Sequence, residues 1–301
     1  MTRPLIIFHS NCADGFSAAW CFWRKYGEDA DYHAGIYGKP PPDVSGREVY
    51  IVDFSYRFEV IDAMSNTAHT IAILDHHKSA AEDLDRFPSF AIGPEPWQRR
   101  SLQGVFADCH TANIPQVAAC FDMNRSGATL AWDFLFPEEP RPLLLGHVED
   151  RDLWRFRLPN TREIQANVFS YEYTFEQWDR LMAAGQAELL QMTVAGAAIE
   201  RKHHKDIAEL LAVCTRSMTI GGHIVPVASL PYTMVSDAAG KLAVGQPFAA
   251  TYWDTADHRI FGLRSADDGM DVSVIASAYG GGGHQHSAGF KVARDHVLAT
   301  S

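Results

Sequence analysis

Apolar residues along the first third of the chain come in short unbroken runs separated by amphipathic stretches, the alternation that builds a parallel sheet from βαβ units. Pro4-Leu5-Ile6-Ile7-Phe8 predicts a buried strand, and 16–26, with Phe16, Ala19, Trp20 and Trp23 on one face, predicts a helix. A second strand is expected over 49–52, a short helix over 58–65, a third strand over 71–74, a fourth over 116–121 and a helix over 126–136. Between 87 and 111 periodicity fades, and Pro88, Pro94, Pro96 and Gly104 suggest a long surface excursion with no assignable role.

Further on, 141–149 reads as a helix leading into Asp150-Arg151-Asp152-Leu153-Trp154. From 175 to 212 the pattern is helical and mixed in charge. After Cys214, short strands over 224–228, 248–253 and 260–264 precede a helix near 271–279 that runs into a glycine cluster. The expected class is α/β: a parallel-sheet domain over 1–170 with helices on both faces, connecting helices over 171–214, and a smaller C-terminal α/β domain over 215–301. At 301 residues with 47% hydrophobic content, the chain can bury a substantial core, and its length fits one large domain or two ordinary ones.

Charge and cysteine usage narrow the picture. No apolar run approaches the roughly 18 residues of a membrane span, and the N-terminus lacks a signal-peptide pattern. Five scattered cysteines form no CxxC pair and no disulfide framework, which points to a reducing cytoplasm. A net charge of −11 disfavours a grip on long duplex nucleic acid, but bound cations would reverse the local field for a short anionic substrate.

In an open parallel sheet, ligands sit outside the carboxyl ends of the strands. The residues there are His9-Ser10-Asn11-Cys12-Ala13-Asp14-Gly15, then Asp53, then Asp75-His76-His77. Several carboxylates gathered in a small volume repel one another unless cations neutralise them, and two divalent metals are the simplest resolution. Mixed carboxylate and imidazole ligands suit Mn²⁺, Fe²⁺ or Co²⁺ and tolerate Mg²⁺. Each aspartate taken singly also fits a helix-capping turn; the three together with a histidine pair do not. His203-His204, amid Arg201, Lys202 and Lys205, reads as a solvated basic face, and Trp154 and Phe156 read as core rather than as stacking platforms.

These motifs, with Arg264-Ser265 and Gly281-Gly282-Gly283-His284-Gln285-His286-Ser287-Ala288-Gly289-Phe290 near the C-terminus, resemble the DHH phosphoesterase superfamily, in the style of oligoribonucleases and RecJ-like exonucleases. The resemblance covers both ends of the chain, in order. It implies one metal held by His9, Cys12 and Asp53, and a second held by Asp14, Asp53, His76 and a fourth-motif aspartate. Asp150 is the choice for that aspartate and Asp152 the runner-up. Asp75 would orient ligands and His77 would face substrate phosphate, while Arg264, Ser265, Gly282, Gly283 and His284 of the C-terminal domain would bind substrate.

The family usually has aspartate at the position of Cys12, and a thiolate is a softer ligand that favours Zn²⁺ or Fe²⁺. The implied activity is hydrolysis of phosphodiester bonds in short oligonucleotides or small nucleotides, with two divalent cations, Mn²⁺ first, and with a homodimer left open. A pyrophosphatase or polyphosphatase is the second reading, and a catalytically dead nucleotide-binding module the third.

Overall fold

The computed structural model describes residues 2–93 and 100–300, and the chain divides into two compact units, Met1–Ile199 and Glu200–Ser301. Pro94 and Pro96 lie outside the described residues.

In the first unit the elements run β1 (Leu5–His9), α1 (Ala13–Tyr26), β2 (Asp31–Gly35), β3 (Glu48–Val52), α2 (Phe58–Ser65), β4 (Thr70–Asp75), α3 (Lys78–Asp83), α4 (Leu102–Thr111), β5 (Val117–Phe121), α5 (Gly127–Leu135), α6 (Leu143–Asp152), α7 (Thr161–Val168) and α8 (Phe175–Met182). α9 (Gln186–Cys214) is a single helix of 29 residues. The five strands form one parallel sheet in the order β2-β1-β3-β4-β5.

Side chains alternate across this sheet. Ile6, Phe8, Val52, Ala72, Leu74, Ala118 and Cys120 face a core completed by Phe16, Trp20, Leu130, Trp132 and Trp178. Leu5, Ile7, Val49, Ile51, Ile71, Ile73, Val117 and Ala119 face a second core completed by Ile61, Met64 and Leu84. A sheet covered on both faces needs strands apolar at every position, which is why these strands read as continuous runs. β2 is the exception. Its sequence, Asp31-Tyr32-His33-Ala34-Gly35, is only partly buried, so an edge strand sits where the hydrophobic pattern shows none.

Other departures are local. α1 begins at Ala13, three residues before the first apolar position of the expected helix, which places Asp14 and Gly15 in its first turn. α6 runs to Asp152, three residues past the expected end, so Asp150 and Asp152 are both helical. The 87–111 stretch is not wholly irregular: Ser89 bridges to Ala119, Ala91 to Arg100, and 102–111 form α4, capped by Ser101. Trp154 is exposed rather than core.

The second unit carries β6 (Thr215–Ile220), β7 (His223–Ser229), α10 (Val235–Ala243), β8 (Ala249–Asp254), β9 (His258–Arg264), α11 (Val272–Ala278), β10 (Gly282–His284) and β11 (Ser287–Ala293). Its mixed sheet has the order β10-β11-β9-β8-β7-β6. The glycine cluster is not simply a turn, because Gly282-Gly283-His284 pair antiparallel with Ser287-Ala288-Gly289 as an edge hairpin. His203 contacts Asp237 at 3.0 Å and His204 contacts Glu200 at 2.7 Å, so that pair is held by carboxylates rather than left to solvent. Among the described residues no helix is long and apolar enough to cross a membrane.

Trp178 illustrates how tightly the first unit is bound together. The side chain is fully buried against Phe16, and its indole N–H donates to Ser17 Oγ at 2.9 Å, fixing α8 onto α1. Trp178→Ala is expected to lower unfolding free energy by about 3–5 kcal/mol, read by urea denaturation, since the cavity cannot collapse and Ser17 loses its donor.

Candidate metal centre

In this strand order the chain steps outward from β1 to β2 and then, through β3, in the opposite direction to β4 and β5. The switch point therefore lies between β1 and β3, where adjacent crossovers diverge and open a crevice at the carboxyl ends. His9 ends β1, Asp53 follows β3, and Asp75 ends β4 with His76 and His77 behind it.

Asp53 lies at the middle of the group. Its Oδ1 sits 3.0 Å from His76 Nε2, and its Oδ2 sits 3.6 Å from His9 Nδ1, so the two oxygens face different neighbours. Its backbone is in the left-handed region, φ 52°, which is uncommon away from glycine and costs energy that the surroundings must offset. Two glycines make the crowding possible. A side chain at Gly15 would collide with the His9 backbone and touch the Asp53 carboxylate, and one at Gly127 would run into Asp53 itself.

Asp14 reaches the cluster from the first turn of α1. Its carboxylate accepts backbone N–H bonds from Gly127, at 2.6 Å, and Ala128, at 3.2 Å, at the N-terminus of α5. Free N–H groups and the helix dipole favour negative charge there. Glu149 holds that terminus in place by accepting from Ser126 N–H and from the Thr129 hydroxyl. Asp14 Oδ2 lies 3.7 Å from His76 Nε2, and Asp152 Oδ2 lies 3.4 Å from the same nitrogen.

Asp150 is not in the cluster. Its Oδ1 accepts from Arg157 N–H at 2.8 Å, and its Oδ2 accepts from Leu158 N–H at 3.0 Å and the Thr161 hydroxyl at 2.7 Å. Residues two apart on a helix point roughly 200° away from each other, so only one of Asp150 and Asp152 can face the sheet, and Asp152 does. The expectation that α6 stops at 149 hid this geometry. The sequence reading also missed Ser55, which donates to Asp75 Oδ2 at 2.7 Å, and Tyr37, whose ring lies 5.3 Å from that of His9.

Asp75 is fully engaged. Its Oδ1 accepts from the His76 N–H at 2.7 Å and meets His77 Nδ1 at 2.6 Å, while Oδ2 takes the Ser55 hydroxyl. This leaves it placed to orient His77.

The electrostatics follow from burial. Asp14 is pushed well above the usual carboxylate range by desolvation and by Asp53 and Asp152. Asp152 is likewise raised, mainly by burial. Burial opposes ionisation of Asp53 too, but the His76 hydrogen bond and the facing imidazole of His9 overcome it and hold its carboxyl well below the usual range. Burial and the neighbouring Asp53, Asp152 and Asp14 carboxylates push the Cys12 thiol up. His77, despite desolvation, is raised to about 9 by Asp75. Such opposed shifts in one crevice are the pattern of a functional site.

Among the described residues of the first unit, three sets of ligand atoms lie within 4.8 Å of one another and could each hold a metal ion: His9, Cys12 and Asp53; Asp14, His76 and Asp152; and Asp53, Asp75, His76 and His77. The donors fit divalent ions, and the buried oxygens Asp53 Oδ2 and Asp152 Oδ2 accept no hydrogen bond among the described residues.

In the C-terminal unit, strand register aligns Arg264 of β9 with Ser287 of β11, and Ser287 with His284 of β10. Arg264 donates to Ser236 Oγ at 2.8 Å, and Ser265 Oγ meets His286 Nδ1 at 2.9 Å. Arg264, Ser265, Gly282, Gly283 and His284 thus share one end of that sheet.

Solved structures share this architecture. One, titled as the DHH domain of a member of the s1p family of ribosomal proteins, superposes with a TM-score of 0.53 at 14% identity, covering 97% of this chain and 83% of that one. The chain has the fold of that DHH domain. A pGpG-specific phosphodiesterase from Vibrio cholerae aligns over 96% of this chain and 93% of its own at 14% identity, with a TM-score of 0.46. In sequence, an uncharacterised protein of Acanthamoeba polyphaga mimivirus is 26% identical over 95% of this chain, which spans 66% of that relative's length. No protein-family model matches.

The two aspartates of α6 separate cleanly by experiment. Asp152→Asn is expected to weaken Mn²⁺ binding in calorimetry by at least about tenfold while leaving the melting temperature within a few degrees. Asp150→Asn should lower the melting temperature, since it weakens three hydrogen bonds in the 157–161 loop, each typically about 1 kcal/mol or more for a charged acceptor.

Proposed function

We propose that this DHH-fold chain is a divalent-metal-dependent phosphoesterase that hydrolyses phosphodiester bonds in short oligonucleotides or small nucleotides. The observation that carries the reading is Asp53, whose two oxygens face two separate ligand sets across the switch-point crevice. His9, Cys12 and Asp53 would hold one cation; Asp14, Asp53, His76 and Asp152 would hold the other. Divalent cations there supply charge neutralisation for a phosphoryl group and a more acidic water at neutral pH.

The chain's own residues do the rest. The α5 N-terminus fixes the Asp14 carboxylate in place beside His76. Asp75 holds His77 in one orientation, and His77 is the proposed donor to a substrate phosphate oxygen. On the C-terminal unit, Arg264 and His284 are the proposed grips for the substrate's other phosphates, with Ser265, Gly282 and Gly283 around them. Arg suits that role because its planar guanidinium presents paired donors. The net charge of −11 favours a short substrate over polymeric duplex.

Asp53→Ala is expected to abolish Mn²⁺-supported hydrolysis of dinucleotides while the circular dichroism spectrum stays native. Residual activity above a few per cent of wild type would remove Asp53 from the shared position. The same assay run with inorganic pyrophosphate tests the competing pyrophosphatase reading: orthophosphate release without dinucleotide cleavage selects it. Metal analysis giving one equivalent or none favours a binding module without catalysis.

The thiol at Cys12 makes a separate claim on metal choice. Cys12→Asp should shift activation toward Mg²⁺ and Mn²⁺ and away from Zn²⁺, because carboxylate oxygen suits the harder ions. Cys12→Ser should lower metal occupancy. A serine variant with full occupancy and unchanged metal preference would make Cys12 a bystander.

A further inference from the structure

Two residues beyond Asp152, the backbone does something costly. Trp154 has φ 55° and Phe156 has φ 49°, and both are bulky aromatic residues in a region that suits glycine or asparagine. The strain is imposed locally. The Asp150 carbonyl accepts from the Arg155 and Phe156 N–H groups, and the Asp150 carboxylate accepts from Arg157 and Leu158. Asp150 is therefore the frame of this turn.

What the turn presents is an aromatic and cationic surface. Trp154 is 37% exposed and Phe169 44% exposed. The Arg151 guanidinium lies over both rings, 5.6 Å from the centre of Trp154 and 5.0 Å from that of Phe169. Arg162 lies 3.6 Å over Phe156 and 5.7 Å from Trp154. Trp154 belongs to neither core of the first unit. Strain of this kind persists where it serves a site. Trp154 is two residues from Asp152, so their Cα atoms lie within roughly 7 Å of each other.

We propose that Trp154 and Phe169, with the Arg151 guanidinium they share, form a stacking platform for an unpaired nucleobase next to the Asp152 end of the cluster. Aromatic faces and arginine planes are the chemistry by which single-stranded nucleic acid is held without sequence preference. The platform favours an oligonucleotide over a phosphoester lacking a base. It rests on the phosphodiester reading only for this choice of ligand class.

The test compares binding of a deoxyadenylate tetramer with a fully abasic tetramer carrying the same phosphates, by calorimetry on the full chain in EDTA, so that turnover plays no part. Wild type should bind the adenylate at least about 5-fold more tightly, the lower end of what one base stacked on an aromatic residue contributes. Trp154→Gly removes the ring and accepts the positive φ without strain, which offsets part of the packing it gives up, and native circular dichroism checks that it folds. It should lose that preference while leaving affinity for the abasic tetramer unchanged, and Trp154→Phe should keep most of it. No detectable adenylate binding by wild type, equal affinity for both tetramers, or a Trp154→Gly variant that keeps the preference would each overturn the platform. Absence of hydrolysis with Mn²⁺ while the base preference persists would instead refute the phosphoesterase reading alone.

Discussion

Burying several negative charges in one crevice is the constraint around which the first unit is organised. Asp14, Asp53 and Asp75 are almost fully inaccessible to solvent, and Asp152 joins them from the end of α6. Isolated buried carboxylates are too costly to keep ionised, so each must find donors, cations or a proton. Asp75 finds donors in Ser55, the His76 N–H and His77, and Asp14 finds them at the α5 N-terminus. Asp53 and Asp152 keep oxygens that accept none, and those oxygens face the ligand sets.

Much of the surrounding architecture serves that arrangement. Gly15 and Gly127 let two helix N-termini press against Asp53, where any side chain would intrude. The Glu149 contacts with Ser126 and Thr129 hold α5 at the right height, and Arg141 and Arg155 flank the same carboxylate. Asp152 closes α6 at the end where the helix dipole disfavours an anion. A position that is locally unfavourable and still presents its carboxylate to His76 is easier to understand as part of a cation site than as a stabilising contact.

Asp150 and Asp152 show how one helix turn can divide the work. One carboxylate turns outward from the cluster and organises the 153–161 loop; the other turns toward His76. The same three-residue stretch links the anionic crevice to the aromatic and guanidinium surface around Trp154.

Local chemistry made a good part of this legible without coordinates. The buried strands of a two-faced parallel sheet are unbroken apolar runs, so β1, β3, β4 and β5 stand out, and the rule that ligands gather at their carboxyl ends leads directly to His9, Cys12, Asp14, Asp53 and His76. β2 did not stand out, because an edge strand buries too little to need an apolar sequence. Nor could the glycine run show whether it was a turn or a strand, since glycine favours neither and its pairing partner lies five to seven residues away. The choice between Asp150 and Asp152 was beyond sequence as well: it depends on where α6 ends and on which side of it meets the sheet, and both are set by packing. The strained turn at Trp154 belongs with these, because its backbone is held by hydrogen bonds to Asp150 that exist only once the chain has folded.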